Sequence, residues 1–240
     1  MIGIIKHIGG KTMHTFTEKH TPAYIVKVFP KASDLFKVHG INFCCKGDIV
    51  LKDTFAEKSL TGEEVLEQLN TSFKSWKEKG NTATNWEAMS VAELVEYIKV
   101  HYHTFLQEEL SALGEFVTRI YRVHGHDSPH LEQLYTLYNE FVMEAEIHLM
   151  QEVTEFIPLI QLQEVTNVET VQKEVHKLKE RNVEMNELLK KMRKVTNNFV
   201  PPLHACGSYR ITYARLNDLE TEMMDYMHVE NNILFKKLTT

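Results

Sequence analysis

Leu137-Tyr138-Asn139-Glu140-Phe141-Val142-Met143-Glu144-Ala145-Glu146-Ile147-His148-Leu149-Met150-Gln151-Glu152 carries apolar residues at the spacing of one helix face, then sets two ionisable ones on that face. Leu137, Phe141, Ala145 and, further on, Leu159 fall on one side of a helix with ~3.6 residues per turn. His148 and Glu152, four apart, point the same way, and Glu155 lies close to the same line. A carboxylate on a core-facing side is costly unless it is paired, neutralised by a proton or bound to a cation.

Three more helices of the same kind surround this one. Ser90-x-x-Glu93 reads as a capping box opening a helix that reaches about Val123. His124–Pro129 is a turn, and the quoted stretch then lies in a helix from about His130 to Leu162. A third helix runs from about Val168 to Phe199, stopped by Pro201-Pro202, and a fourth from about Ser208 to Leu238. Helices of ~30 residues with short connections predict an up-down-up-down four-helix bundle. The chain has only ten glycines and six prolines, and no β alternation competes with this all-α reading. Each helix turns a polar side chain inward. In the first it is His103, with Ala92, Leu106, Leu110 and Val117; His101 points nearly the opposite way. In the third it is Asn182, among Val175, Leu178, Met185 and Leu189, with His176 off that face. In the fourth, Tyr226 and Glu230 lie with Met223, Met227, Ile233 and Leu234, and His228 points away. Carboxylates and imidazoles on facing bundle helices form the ligand set of non-haem iron or manganese sites. A hydrogen-bonded layer without metal is the other reading, with the pairs His103–Glu152, His148–Glu230 and Asn182–Tyr226.

Ahead of the bundle (90–240) lie a polar linker, 77–89, and a small helical part, 14–76. In the small part Thr21-Pro22 opens a short helix ended at Pro30, because proline is tolerated in a first turn. A second runs over Ser33–His39, with Gly40 as its C-terminal stop. Thr61-x-x-Glu64 reads as another capping box. Gly40-Ile41-Asn42-Phe43-Cys44-Cys45-Lys46-Gly47 contains adjacent cysteines. Their Cα atoms, ~3.8 Å apart, are too close for an unstrained disulfide, which wants ~4.4–6.8 Å. Two thiols side by side suit metal handling, transient oxidation or plain packing. The expectation is a reduced, partly accessible pair at the N-terminal end of a helix, where partial positive charge favours a thiolate. Buried packing residues are the alternative.

The chain has 240 residues, 27 Lys and Arg against 33 Asp and Glu, and a formal net charge of −6. That balance argues against a general nucleic-acid binder. The basic residues Lys173, Lys177, Lys179, Arg181, Lys190, Lys191, Arg193 and Lys194 are interleaved with Glu174, Glu180, Glu184 and Glu187, the pattern of a solvated helix face. No run approaches the ~18 apolar residues of a membrane span, and Met1–Lys11 lacks the apolar core of a signal peptide. With three cysteines, free thiols in a reducing cytoplasm are expected.

These residues resemble a family: the iron–sulfur cluster repair di-iron proteins, also called repair-of-iron-centres or ScdA-type. The resemblance is carried by Asn42-Phe43-Cys44-Cys45, Tyr102-His103, Val123-His124-Gly125, His148-x-x-x-Glu152, Pro201-Pro202-x-x-Ala205-Cys206-Gly207 and Val229-Glu230-Asn231-Asn232-x-Leu234-Phe235. It covers the chain from about His14. It implies a small Cys-Cys domain followed by a hemerythrin-like bundle, with two irons held by four histidines and two bridging carboxylates. His103, His148, Glu152 and Glu230 stand at ligand positions. Asn182 and Tyr226 stand where the family carries histidine, and Val153-Thr154-Glu155-Phe156-Ile157-Pro158 replaces its acidic run. Tyrosine can ligate ferric iron through its phenolate, and asparagine is a weaker oxygen ligand. The resemblance implies repair of clusters damaged by oxidative or nitrosative stress, with Cys44 and Cys45 handling iron or redox transfer. Damaged iron–sulfur proteins are then the partners, nitric oxide a candidate reactant and a homodimer a candidate assembly. A divergent, metal-deficient relative acting as a binding or regulatory module is the rival reading. An oxygen carrier would need the full histidine set.

Overall fold

The computed structural model describes residues 15–161 and 168–239, which are mostly helical, with no strand among them. Leu162, the expected end of the second bundle helix, lies outside these residues. The chain forms two compact units that meet in sequence between Ala88 and Met89.

Among the described residues the first unit holds four α-helices: α1 (Pro22–Val28), α2 (Ala32–Val38), α3 (Leu51–Lys58) and α4 (Gly62–Glu78). Pro22 sits in the first turn of α1, and the Thr21 side chain accepts from Tyr24 N–H, satisfying a donor the helix start leaves open. Gly40, at φ +62°, ends α2 in the left-handed conformation that glycine adopts without strain. Thr61 does precede α4, but its side chain makes no capping hydrogen bond, so the expected box there is not formed. The core is aromatic. Phe16, Phe29, Phe36, Phe43 and Phe73 are buried, and the Phe73 ring lies 4.8 Å from Phe16 and 5.3 Å from Phe29. Each such ring contributes roughly 1.5–3 kcal/mol on burial.

The second unit is the four-rod bundle. Its first rod joins α5 (Val91–Ile98), a π turn at Lys99–His103 and α6 (Thr104–His124). The second joins α7 (His130–Gln151), a π turn at Glu152–Phe156 and α8 (Ile157–Gln161). The third is α9 (Val168–Val195). The fourth joins α10 (Gly207–Val229), a π turn at Glu230–Leu234 and α11 (Phe235–Thr239). The Ser90–Glu93 capping box is fully formed. α6 packs against α7 and α10, and α7 against α9. Leu106 and Leu113, Leu134 and Phe141, Leu178 and Met185, and Leu219 and Met223 are buried in the interior. α9 ends at Val195, short of Phe199, because Asn197, Asn198 and Phe199 all take positive φ. No described helix is long and apolar enough to cross a membrane.

Other charges in the bundle are conventionally paired. Arg193 Nε donates to both carboxylate oxygens of buried Glu220, at 2.7 and 2.8 Å. Arg215 holds Glu109 through two parallel hydrogen bonds of 2.8 and 2.7 Å. Arg181 Nη1 donates to Glu144 at 2.9 Å.

Candidate metal centre

One level of the bundle is polar. His103, His148, Glu152, Asn182, Tyr226 and Glu230 are all buried, at 5, 1, 1, 0, 0 and 0 % exposure. They come from all four rods, as their helical phase predicts. Three of the four rods carry a π turn at this level: His103 closes one, Glu152 opens the second and Glu230 opens the third. In each, a backbone N–H reaches back five residues: Thr104 to Lys99, Ile157 to Glu152, Phe235 to Glu230. Single π turns within α-helices are rare and frequent at functional sites.

The geometry separates into two groups. His103 Nε2 lies 2.8 Å from Glu152 Oε2. Tyr226 Oη donates to that same oxygen and lies 3.3 Å from His103 Nε2. On the other side, His148 Nε2 lies 3.3 Å from Glu230 Oε2 and 3.8 Å from Glu152 Oε2. Asn182 Nδ2 donates to Glu230 Oε2 at 3.0 Å and to Asn231 Oδ1 at 3.4 Å. Both ring nitrogens of His148 and Glu230 Oε1 are buried and make no hydrogen bond. Ligand atoms of His148, Glu152 and Glu230 all lie within 4.8 Å of one another. The Tyr226 ring is held by Tyr102, stacked at 5.2 Å, and by the edges of His103 and His148 at 5.9 and 5.7 Å.

Burial shapes the electrostatics. It pushes the Glu230 carboxyl up to about 7 and raises Glu152, to which the neighbouring Glu230 adds while the His103 hydrogen bond opposes. It lowers His148 to about 4 and holds the Tyr226 phenol well above its ordinary range. Unlike Glu109, Glu144 and Glu220, neither Glu152 nor Glu230 meets an arginine or lysine among the described residues. Two converging carboxylates, a neutral imidazole and orphaned ligand atoms fit a bound cation. Nitrogen and oxygen donors without thiolate suit iron or manganese.

The described geometry corrects several expectations. Glu155 is exposed, because the extra residue in the π turn rotates it out of line with His148 and Glu152. Leu159 is only half-buried for the same reason. His228 is buried rather than outward, with its Nδ1 3.3 Å from Asn232 Nδ2, because the end of α10 is covered on all sides. His101 and His176 are exposed as expected. The Asn182–Tyr226 pair does not form: Asn182 turns to Glu230 and Tyr226 to Glu152.

Cys44 and Cys45 do not begin a helix. They lie in the bent loop between α2 and α3, where a helix would lose the tight return to α1. That loop is fixed by its own groups. Asn42 Oδ1 accepts from Cys45 N–H at 2.9 Å and Lys46 N–H at 3.3 Å, and Cys44 Sγ lies 3.4 Å from it. Gly47 O accepts from Ala23 N–H at 3.0 Å. The two cysteines are not joined by a disulfide; their sulfurs lie 3.5 Å apart, with Cys44 buried and Cys45 part-exposed. Sequence reasoning missed the π turns, Asn231 and the loop-making role of Asn42. Only Asn42 had a readable signal, as asparagine commonly hydrogen-bonds backbone two or more residues on. The motif residues His124 and Cys206 meet elsewhere in the bundle, Nε2 to Sγ 3.2 Å.

Two family models match the chain. ScdA_N, described as a domain of unknown function (DUF542), matches residues 19–72. The hemerythrin HHE cation binding domain matches residues 94–238. The iron-sulfur cluster repair protein ScdA of Staphylococcus haemolyticus is 31% identical over 224 residues, covering 93% of this chain and 99% of that one. The iron-sulfur cluster repair protein YtfE of Escherichia coli O8 is 30% identical over 213 residues, covering 87% and 91%. A probable iron-sulfur cluster repair protein of Haemophilus influenzae is 27% identical over 216 residues, covering 87% and 92%.

Proposed function

Since the chain belongs to the family of iron–sulfur cluster repair proteins that join an ScdA-type N-terminal domain to a hemerythrin HHE cation-binding domain, we propose that it repairs iron–sulfur clusters damaged by oxidative or nitrosative stress. It does so in a reducing cytoplasm, with damaged iron–sulfur proteins as its partners. The observation that carries this is the buried layer in which His148 and Glu230 keep ligand atoms without hydrogen bonds and, among the described residues, no arginine or lysine pairs with Glu152 or Glu230. Such a layer is expensive without a cation. His103, His148, Glu152 and Glu230 are its ligand candidates. When bound, iron supplies redox exchange, capture of small reactants such as nitric oxide, and metal for rebuilding a cluster. The protein excludes water with the Tyr102 and Tyr226 rings and orients Glu230 through the Asn182 amide. Cys45, part-exposed beside Cys44, is the thiol placed to take up iron or exchange electrons.

The test is protein purified without oxygen from iron-supplemented cells, assayed for iron and for reactivation of a cluster enzyme inactivated by peroxide or nitric oxide. Iron and reactivation are expected together. Both are lost in the His148→Ala, Glu230→Ala double variant. Undiminished reactivation by that variant, or by protein stripped of iron, would overturn the reading.

A further inference from the structure

We propose that the bundle interior is built for one metal ion, on the side of His148, Glu152 and Glu230, and that the Tyr226 phenol takes up the place a second ion would need. This rests on the reading above that the polar layer holds iron. The layer is asymmetric. In one half, Glu152 Oε2 receives the Tyr226 hydroxyl and meets His103 Nε2 at 2.8 Å, and the hydroxyl lies 3.3 Å from that nitrogen. These three groups satisfy one another, so an ion entering among them would have to displace a complete set of hydrogen bonds. In the other half, His148 Nε2 approaches Glu230 Oε2 at 3.3 Å and Glu152 Oε2 at 3.8 Å without a hydrogen bond to either, and Glu230 Oε1 has no partner. One half is closed by the protein and the other is left open to a ligand.

The neighbouring side chains fix this division. The Tyr226 ring is wholly buried and packed by Tyr102, His103 and His148, so its hydroxyl cannot swing away from Glu152. Asn182 donates its amide N–H to Glu230 Oε2, 3.0 Å away, and so orients that carboxylate. What remains is one imidazole and two carboxylates, a three-residue set that leaves open positions on an iron-type ion. Tyr226 is therefore a positioning residue: it fixes Glu152 Oε2, the oxygen that also lies 3.8 Å from His148 Nε2.

The experiment loads the full chain with ferrous iron without oxygen, removes excess, and measures iron per chain together with the electron paramagnetic resonance of the oxidised sample. Wild type is expected to hold one iron per chain and to give the spectrum of an isolated ferric ion. Tyr226→Phe, which keeps the ring and removes only the hydroxyl, should still bind one. The Asn182→His, Tyr226→His double variant, checked for folding by circular dichroism, should approach two and show a coupled pair. Two coupled irons in wild type would overturn the proposal while leaving the repair reading intact. So would a visible tyrosinate-to-iron band that disappears in Tyr226→Phe, since the phenolate would then be a ligand. No iron in wild type or the double variant would overturn both.

Discussion

Glu230 dominates the pH behaviour of the site. Its carboxyl is pushed up to about 7 by burial, and Glu152 is raised as well. A metal ion takes carboxylates, so binding must expel these protons. Iron affinity should therefore fall as pH drops below about 7, by about tenfold per unit for each proton released. His148 stays neutral down to about 4 and adds nothing to this slope at higher pH. Stability of the metal-free protein follows the same groups with definite sign. A carboxyl raised on folding contributes stability that is full below its unfolded value of 4.5 and lost as pH rises through about 7. His148 opposes this on the acid side: depressed from 6.5 to about 4, it contributes stability that is lost as pH falls between those values. Of Glu230 and His148, only Glu230 titrates above about pH 6.5. The melting temperature of chelator-treated protein should thus fall between pH 6.5 and 8, whereas that of iron-loaded protein should rise. Parallel curves with and without iron would mean that these carboxylates do not hold it.

The π turns and the cysteine loop are the elements that sequence periodicity could not supply. A π turn is an insertion of one residue into a regular helix. Deleting Thr154, which is exposed, should restore α spacing between Glu152 and Phe156 and still leave Phe156 and Ile157 facing inward. The fold should keep its melting temperature, but Glu152 would be re-aimed and iron affinity should fall roughly tenfold or more, as when a supporting contact to a ligand is lost. An iron titration unchanged by the deletion would separate the π turns from metal binding. In the cysteine loop the constraint is Gly47. A Cβ there would lie 2.7 Å from Ala23 Cβ and collide with the Phe43 carbonyl. Gly47→Ala should cost about 1–3 kcal/mol, the range for overpacking, seen as a lower melting transition and faster alkylation of Cys44. Four helices, the Ser90 cap and the inward phase of His103, His148, Glu152, Asn182, Tyr226 and Glu230 were legible, because the 3.6-residue period and cap chemistry are local. The outward position of Glu155 and the burial of His228 were not. The first depends on a local change of period with no residue signature, the second on which elements cover the end of α10. The loop position of Cys44 and Cys45 was missed because it depends on the Ala23–Gly47 hydrogen bond, a contact between residues distant in sequence.

At the scale of the whole molecule, chemistry is divided between two units. The bundle holds nitrogen and oxygen donor atoms in its buried interior, and the small unit holds two soft thiols, one of them part-exposed. Neither set suffices for repair on this view. The thiols lack the further ligands of a closed metal site, and the buried layer has no surface nucleophile of its own. Cys45→Ser therefore separates storage from transfer. The hydroxyl is smaller and far less nucleophilic than a thiolate, and Cys45 donates its backbone N–H, not its side chain, to Asn42, so the loop should hold its shape. Iron content of the purified variant and its paramagnetic resonance should match wild type, because no ligand of the bundle has changed. Reactivation of a damaged cluster enzyme should fall by at least tenfold. Cys44→Ser should reduce reactivation less directly, through loss of packing around a buried sulfur, and should lower the melting temperature, which Cys45→Ser should not. If Cys45→Ser repairs clusters at the wild-type rate while keeping its iron, the thiol pair is structural and iron must leave the bundle by a route that does not involve the small unit.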